Sequence, residues 1–442
     1  MSVTARPTVP RAVISGLGFI TSIGNDQSTV SQNLRALRHG FAPIEFIPGC
    51  ELPVKVAGTI KDFDTRSPHF ADWTWPSARY PLGRDVLRSI APHGLHAFCA
   101  LDQAIRDANL APADLKAEDT GLFTASAGSP FLQRHFLNGM HESQGSRLQP
   151  LGIISTIAGT LNFNLAAHHG IRGGVCGFVS ACASTAHALG YAQDEIRLGR
   201  HQRILVVGAE DLTAESTYSF HGMRVLSRNS DPATASRPFD RARDGFVGTG
   251  GACALVIEEA DSAQARGAPI YAELLGWGQA SDGHHMAVSD PGGQGLARAM
   301  QRALAASRLA PSDVDYINAH ATSTQAGDRS EALALHTVFT AAGARPAISS
   351  TKALTGHALS MAGAMEAGFC ALALREGFIP GQAHLTDPDP VCEGLNLPRQ
   401  TLDQAPEVVL SNSSGFGGSN VVLAFRRWSP AALPALTRQT PP

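Results

Sequence analysis

The chain lacks the features that would mark several protein classes. It has no CxxC pair among its seven cysteines, Cys50, Cys99, Cys176, Cys182, Cys253, Cys370 and Cys392. An odd, scattered set argues against a disulfide framework and against a structural zinc site, and favours a reducing compartment. No stretch of about 18 uncharged apolar residues occurs, so no membrane span is expected, and the segment MSVTARPTVPRAVISGLG lacks the apolar core of a signal peptide. The expected location is the cytoplasm. A net charge of −3 with no run of like charges leaves no nucleic-acid or membrane-surface footprint.

What is present suits a large buried core. The 442 residues are 43% hydrophobic and 17% charged, a balance that leaves little room for disorder. Short β-branched runs recur between small-residue helical stretches: Arg11 to Ile20, Arg203 to Ala209, Ala252 to Ile257, Val314 to Asn318, Ala347 to Ser350, Val408 to Ser411 and Asn420 to Phe425. Such alternation predicts layered α/β architecture with buried strands. Two stretches, Ala181 to Leu198 and Ala358 to Arg375, begin with Ala, Ser, Thr, Gly and Met before turning larger. Small residues let helix backbones approach closely, as in a helix sandwiched between sheets, and a similar element in each half points to an internal duplication. The segment Arg66 to Arg88, with two Trp and three Pro, predicts an irregular cap, and the tail from Pro430 is expected to fray.

Four segments can carry chemistry. Cys182 stands in Val179-Ser180-Ala181-Cys182-Ala183-Ser184 at the start of a helical run, where small neighbours permit a tight turn and a helix N-terminus would favour the thiolate. Taken alone, Cys182 reads more readily as a buried small hydrophobe, since free cysteine is usually buried. Tyr316 to Thr324, YINAHATST, is strand-like and ends in His320 and a hydroxyl-rich turn, the place where catalytic groups are often presented. Ser350 to His357, STKALTGH, sets Lys352 and His357 before the second small-residue helix; a core lysine needs a partner, which Glu366 can supply, while a solvated loop lysine needs none. Ser411 to Asn420, NSSGFGGSN within it, reads as a generous hairpin turn or as a loop whose glycines let backbone approach a ligand.

Together SACAS, NAHATST, STKALTGH and NSSGFGGSN, with Arg237-Pro238-Phe239-Asp240 and Arg243-Asp244-Gly245-Phe246, resemble the β-ketoacyl-acyl carrier protein synthases, most closely the type II condensing enzymes, from about Arg11 to Arg427. The resemblance implies the thiolase fold, a duplicated five-layered αβαβα sandwich, with residues 1–265 forming the half that carries the nucleophile and residues 266–442 the half that carries the histidines. It implies Cys182 as the acyl-accepting nucleophile. His320 and His357 would hold the malonyl thioester carbonyl during decarboxylation, Lys352 and Glu366 would support them, and the backbone N–H groups of Cys182 and Phe416 would form an oxyanion hole. Phe416 would also gate the acyl chain, Thr322 and Thr324 would hold the pantetheine arm, and Arg224 would touch the carrier. No tightly bound cofactor and no metal is implied, since the acyl carrier protein brings its own phosphopantetheine. A dimer is implied, either of identical chains or with a ketosynthase-like subunit.

The chemistry agrees with these roles. Decarboxylation leaves an enolate whose charge must be met by preorganised donors in a site with little water, and losing one such donor costs roughly 3 kcal/mol in acyl-transfer sites. Ala321 stands where the family usually has glycine, and Gly250 near a usual acidic position. Trp73 to His93 and Ser129 to Leu151 match the family poorly, which leaves fatty-acid and polyketide or polyene pathways both open. The competing expectations are a non-catalytic chain-length-factor-like partner, which would lack the nucleophile, and a thiolase, which would need a second cysteine in the Gly415-Phe416-Gly417-Gly418 loop. A chalcone-type synthase would carry asparagine in place of His357.

Overall fold

Strand β1, Ala12–Ile20, is buried at all nine positions, as expected of an apolar run covered on both faces. The computed structural model describes residues 9–430, so the tail expected to fray lies almost wholly outside the described residues. The other main strands are β2 (Thr120–Ala125), β3 (Val175–Phe178), β4 (Arg203–Glu210), β5 (Gly251–Glu259), β6 (Ala272–Ser281), β7 (Tyr316–Asn318), β8 (Ala347–Ser349), β9 (Val408–Gly415) and β10 (Ser419–Arg427). All seven expected runs are strands, whereas β2, β3 and β6 were not anticipated. A separate short hairpin pairs Phe41–Pro43 with Val56–Gly58.

The strand order is β8-β7-β9-β10-β6-β1-β5-β4-β2-β3. From the centre outward, each half reads as its own first, fifth, fourth, second and third strand. The directions also repeat: the first three are antiparallel to one another in turn, and the outer two run parallel to the fourth. Within the sheet, the halves join through three β1–β6 residue pairs among the described residues, Ala12 with Leu274, Val13 with Glu273 and Ile14 with Ala272.

Helices complete the layers. Helix α1 (Pro92–Asp107) covers β1, β5 and β4 on one outer face, while α3 (Gln294–Ser307) covers β6 and β10 on the other, with α4 (Gln325–Val338) beside it. Between the halves lie α2 (Ser184–Arg197) and α5 (Ala362–Glu376), which pack on each other and on strands of both halves. This is the thiolase-fold αβαβα sandwich. Small residues permit the central contact: a Cβ at Gly363 of α5 would fall 2.6 Å from the Ala186 nitrogen of α2. The segment Arg66 to Arg88 is irregular apart from the short turns Phe70–Asp72 and Arg84–Leu87, and its Trp73 and Tyr80 are buried against α1 residues.

Candidate active site

The central helices aim their N-terminal ends at a common pocket. Cys182 lies two residues before α2, on a bend in which Ala181 adopts a left-handed conformation with φ 51°. An alanine there stores strain that surrounding contacts must hold. Ser184 holds it, accepting from the Ser180 N–H at 2.8 Å and donating to the Ala181 carbonyl at 2.6 Å. The expectation that the helix end makes Cys182 a thiolate is not met. Burial dominates and pushes the thiol up to about 12, with the Lys352 charge pulling the other way.

His357 enters from the other half. The preceding Gly356 has φ 80°, and a Cβ on it would meet the Val247 carbonyl at 2.7 Å, so this turn requires glycine. The same carbonyl accepts the His357 N–H at 2.7 Å, and the His357 carbonyl accepts from Thr249 N–H at 3.2 Å. Thus fixed, the ring sets Nε2 3.0 Å from Cys182 Sγ. His320, just beyond β7, stands edge to face with it, ring centres 5.3 Å apart and planes at 88°. Both imidazoles are held well below the usual range by burial first and by the Lys352 charge second, with each other's proximity adding for His320. They are neutral at physiological pH.

Lys352 is 1% exposed and pairs with the buried Glu366 of α5, so the solvated-loop alternative falls away. Burial raises Glu366 to about 7, offset in part by Lys352. Glu331 of α4 was not anticipated. Its carboxylate accepts from the N–H of His320 at 3.0 Å, the N–H of Ala321 at 2.6 Å and Asn412 Nδ2 at 2.8 Å, and so fixes the turn that carries His320. Ala321 has no positive φ there, so the turn does not require glycine. At the other departure, a Cβ on Gly250 would lie 2.7 Å from the Glu210 carbonyl, which leaves no room for an acidic side chain. Glu210, also unanticipated, accepts from Ser360 N–H at 3.1 Å, from Ala127 N–H at 3.2 Å and from the Ser360 hydroxyl; burial raises it to about 7.

Cys182, His320 and His357 line one pocket of about 280 Å³, together with Thr322, Thr324, Arg224 and Phe416. The two threonine hydroxyls are 3.2 Å apart, and Arg224 is exposed. Lys352 and Glu366 do not line the pocket and lie behind the histidines. The expected broad loop from Ser411 to Asn420 is mostly strand; the reversal is confined to Phe416–Gly418, because β9 continues to Gly415 and β10 begins at Ser419. Phe416 is 38% exposed at the pocket wall, its ring 6.0 Å from that of Phe220.

Comparison with known proteins gives a consistent assignment. The chain matches the family description "Beta-ketoacyl synthase, N-terminal domain" over residues 10–263 and "Beta-ketoacyl synthase, C-terminal domain" over residues 271–386. It is 37% identical to the 3-oxoacyl-[acyl-carrier-protein] synthase 1 of Haemophilus influenzae, over 95% of this chain and 99% of that protein. A solved β-ketoacyl synthase from Burkholderia phymatum superposes with a TM-score of 0.85 at 31% identity, over 95% of this chain and 100% of the other. A type II polyketide ketosynthase, solved bound to its acyl-carrier protein and to the hexaketide, superposes with a TM-score of 0.82 at 26% identity, over 96% of this chain and 100% of that one.

Proposed function

Because this chain belongs to the β-ketoacyl synthase family, we propose that its decarboxylative Claisen condensation runs through Cys182, His320 and His357. The chain is an acyltransferase that joins an acyl thioester to a malonyl unit. In the proposed sequence, Cys182 Sγ attacks the carbon of the acyl thioester, the bond to the carrier sulfur breaks, and the Cys182 proton leaves with the departing carrier thiol. The N–H groups of Cys182 and Phe416 receive the oxyanion of that step. The malonyl thioester carbonyl then faces the two neutral imidazoles, whose N–H groups meet the enolate formed as carbon dioxide departs. The enolate carbon attacks the acyl carbon, the bond from that carbon to Cys182 Sγ breaks, and the sulfur takes up a proton from solvent to restore the thiol. Lys352 and Glu366 hold the charge balance behind the rings, and Phe416 gates the acyl group.

The observation that carries this reading is the 3.0 Å approach of His357 Nε2 to Cys182 Sγ across two halves of the fold, 175 residues apart in sequence. A chain-length-factor-like subunit is not favoured, because nucleophile, both histidines and the lysine are present and converge. The 411–420 segment holds no cysteine, so the thiolase reaction has no second thiol there, and His357 occupies the position of the chalcone-type asparagine.

We assign the carrier as an acyl carrier protein, whose own pantetheine arm passes Thr322 and Thr324, with Arg224 at the mouth; the related ketosynthase solved with its acyl-carrier protein supports this. No tightly bound cofactor is assigned. A dimer, of like chains or with a ketosynthase-like subunit, is supported by the outer strand β3, whose Val175 is 39% exposed beside Val179 at 70%, an edge and apolar patch that monomers ordinarily protect. The two halves divide in our assignment at 265 and 266, between the helix Ala260–Ala265 and β6. Seven free cysteines and the absence of a helix long and apolar enough to cross a membrane among the described residues support a cytoplasmic assignment. Incubation with acyl-acyl carrier protein and intact-mass analysis tests the whole reading: an acyl adduct that disappears in Cys182→Ala is expected, and an unmodified wild-type chain refutes it.

A further inference from the structure

Behind His357 the main pocket continues into a small recess. The two share Phe220, Phe246, His357 and Leu359, and the recess is walled beyond them by Asp211, Leu212, Ser216, Thr217, Gly248 and Thr249. Its open volume is about 10 Å³, room for a single water-sized group and not for a continuing chain.

Most of its polar wall is already satisfied. The Asp211 carboxylate accepts from the His93 N–H at 2.6 Å and from the Ser129 hydroxyl. Ser216 Oγ donates to the Asp211 carbonyl at 3.1 Å, and Thr249 Oγ1 to the Gly58 carbonyl at 2.8 Å. Thr217 differs. It is 5% exposed, and its hydroxyl, with no hydrogen bond to any described residue, keeps some surface open to water. Gly248 faces it: a Cβ there would reach only ordinary contact, 3.8 Å from Thr217 Cγ2 and 3.9 Å from both Thr217 Oγ1 and Leu212 Cδ1. Gly248 also pairs with His357 in an isolated bridge, so the recess adjoins the catalytic histidine directly.

A saturated alkyl end placed in this recess would strip water from the Thr217 hydroxyl without replacing it, whereas an oxygen at the end of the acyl group would meet it. We infer that the acyl group favoured on Cys182 is short and ends in a hydroxyl or similar hydrogen-bonding oxygen, with Thr217 as the residue that selects it. The inference rests on the assignment of Cys182 as the acyl carrier. Phe220 and Phe246 supply the apolar sides of the passage, and Leu359, held in a left-handed conformation with φ 49° next to Ser360, whose amide Glu210 accepts, forms its lip.

The test uses the full chain with N-acetylcysteamine thioesters of hexanoyl, ω-hydroxyhexanoyl and dodecanoyl groups, following Cys182 adduct formation by mass spectrometry. The ω-hydroxyhexanoyl ester is expected to react roughly tenfold faster than hexanoyl, as one hydrogen bond in a dry site allows, with dodecanoyl slowest. Thr217→Val should level the first two. Gly248→Ala, whose methyl fits the space without a clash, should slow the hydroxylated ester more than hexanoyl. Dodecanoyl reacting as fast as the others overturns the inference, as does a hydroxyl preference that survives in Thr217→Val. Adducts without selectivity overturn the inference alone, while the lack of any adduct overturns the nucleophile assignment and the inference with it.

Discussion

His357 Nε2 stands 3.0 Å from Cys182 Sγ, and both groups are uncharged in the resting site, because burial lifts the thiol to about 12 and holds the imidazole below its usual range. The pair is a thiol beside a neutral base, not a preformed thiolate–imidazolium couple. A raised thiol pKa means less thiolate at neutral pH than free cysteine has, and more as pH climbs. The rate of Cys182 alkylation by iodoacetamide should therefore keep rising from about pH 7 to about pH 10. A plateau reached near neutrality would show a thiolate already formed.

The buried pair of Lys352 and Glu366 supports the site at a cost in desolvation. Removing one member leaves the other charge buried without a partner, a loss of about 3–5 kcal/mol in comparable cases. Lys352→Ala should lower the denaturant midpoint accordingly. The double variant Lys352→Met with Glu366→Leu should regain much of that stability while condensation stays impaired, since the apolar pair fills the space without the positive charge. A single variant as stable as the parent chain would contradict this picture.

Acid should destabilise the chain earlier than its carboxylates alone would suggest. His96 is fully buried on α1 with neither ring nitrogen hydrogen-bonded, and burial lowers it to about 4. The folded state thus binds its proton less readily than the unfolded chain, and stability falls as pH drops from about 6.5 to about 4, by roughly 3 kcal/mol for this one group. His169 is lowered to about 4 by burial and by His168, and acts in the same direction. Chemical denaturation at stepped pH should show a steeper acid loss in the parent chain than in His96→Phe. Parallel curves would remove His96 from the account.

Much of this was legible in the sequence because it is local. Unbroken apolar runs such as Arg203 to Ala209 identify strands buried on both faces, and the motif residues Cys182, His320, Lys352 and His357 stand in recognisable segments. What escaped is interrupted or nonlocal. Strand β6 is broken by Gly276, Trp277, Gly278 and Gln279, which mask its period, and β2 by Gly121. Glu331 and Glu210 act on backbone groups brought to them only by folding. For Glu331 a faint signal exists: it shares with Asp328 a helix face otherwise lined by Ala332 and Leu335, an odd place for two acids. The thiol was misjudged for the same reason, since a local helix end is visible in sequence and the burial that overrides it is not.

The most direct measurement of the central claim separates the two half-reactions in His357→Ala. With acyl-acyl carrier protein, the variant should still form the Cys182 adduct; with malonyl-acyl carrier protein, its carbon dioxide release should fall by about 10²–10³, as the loss of one preorganised donor to the developing charge implies. Unchanged release alongside normal condensation would contradict the role assigned to the histidine that faces Cys182.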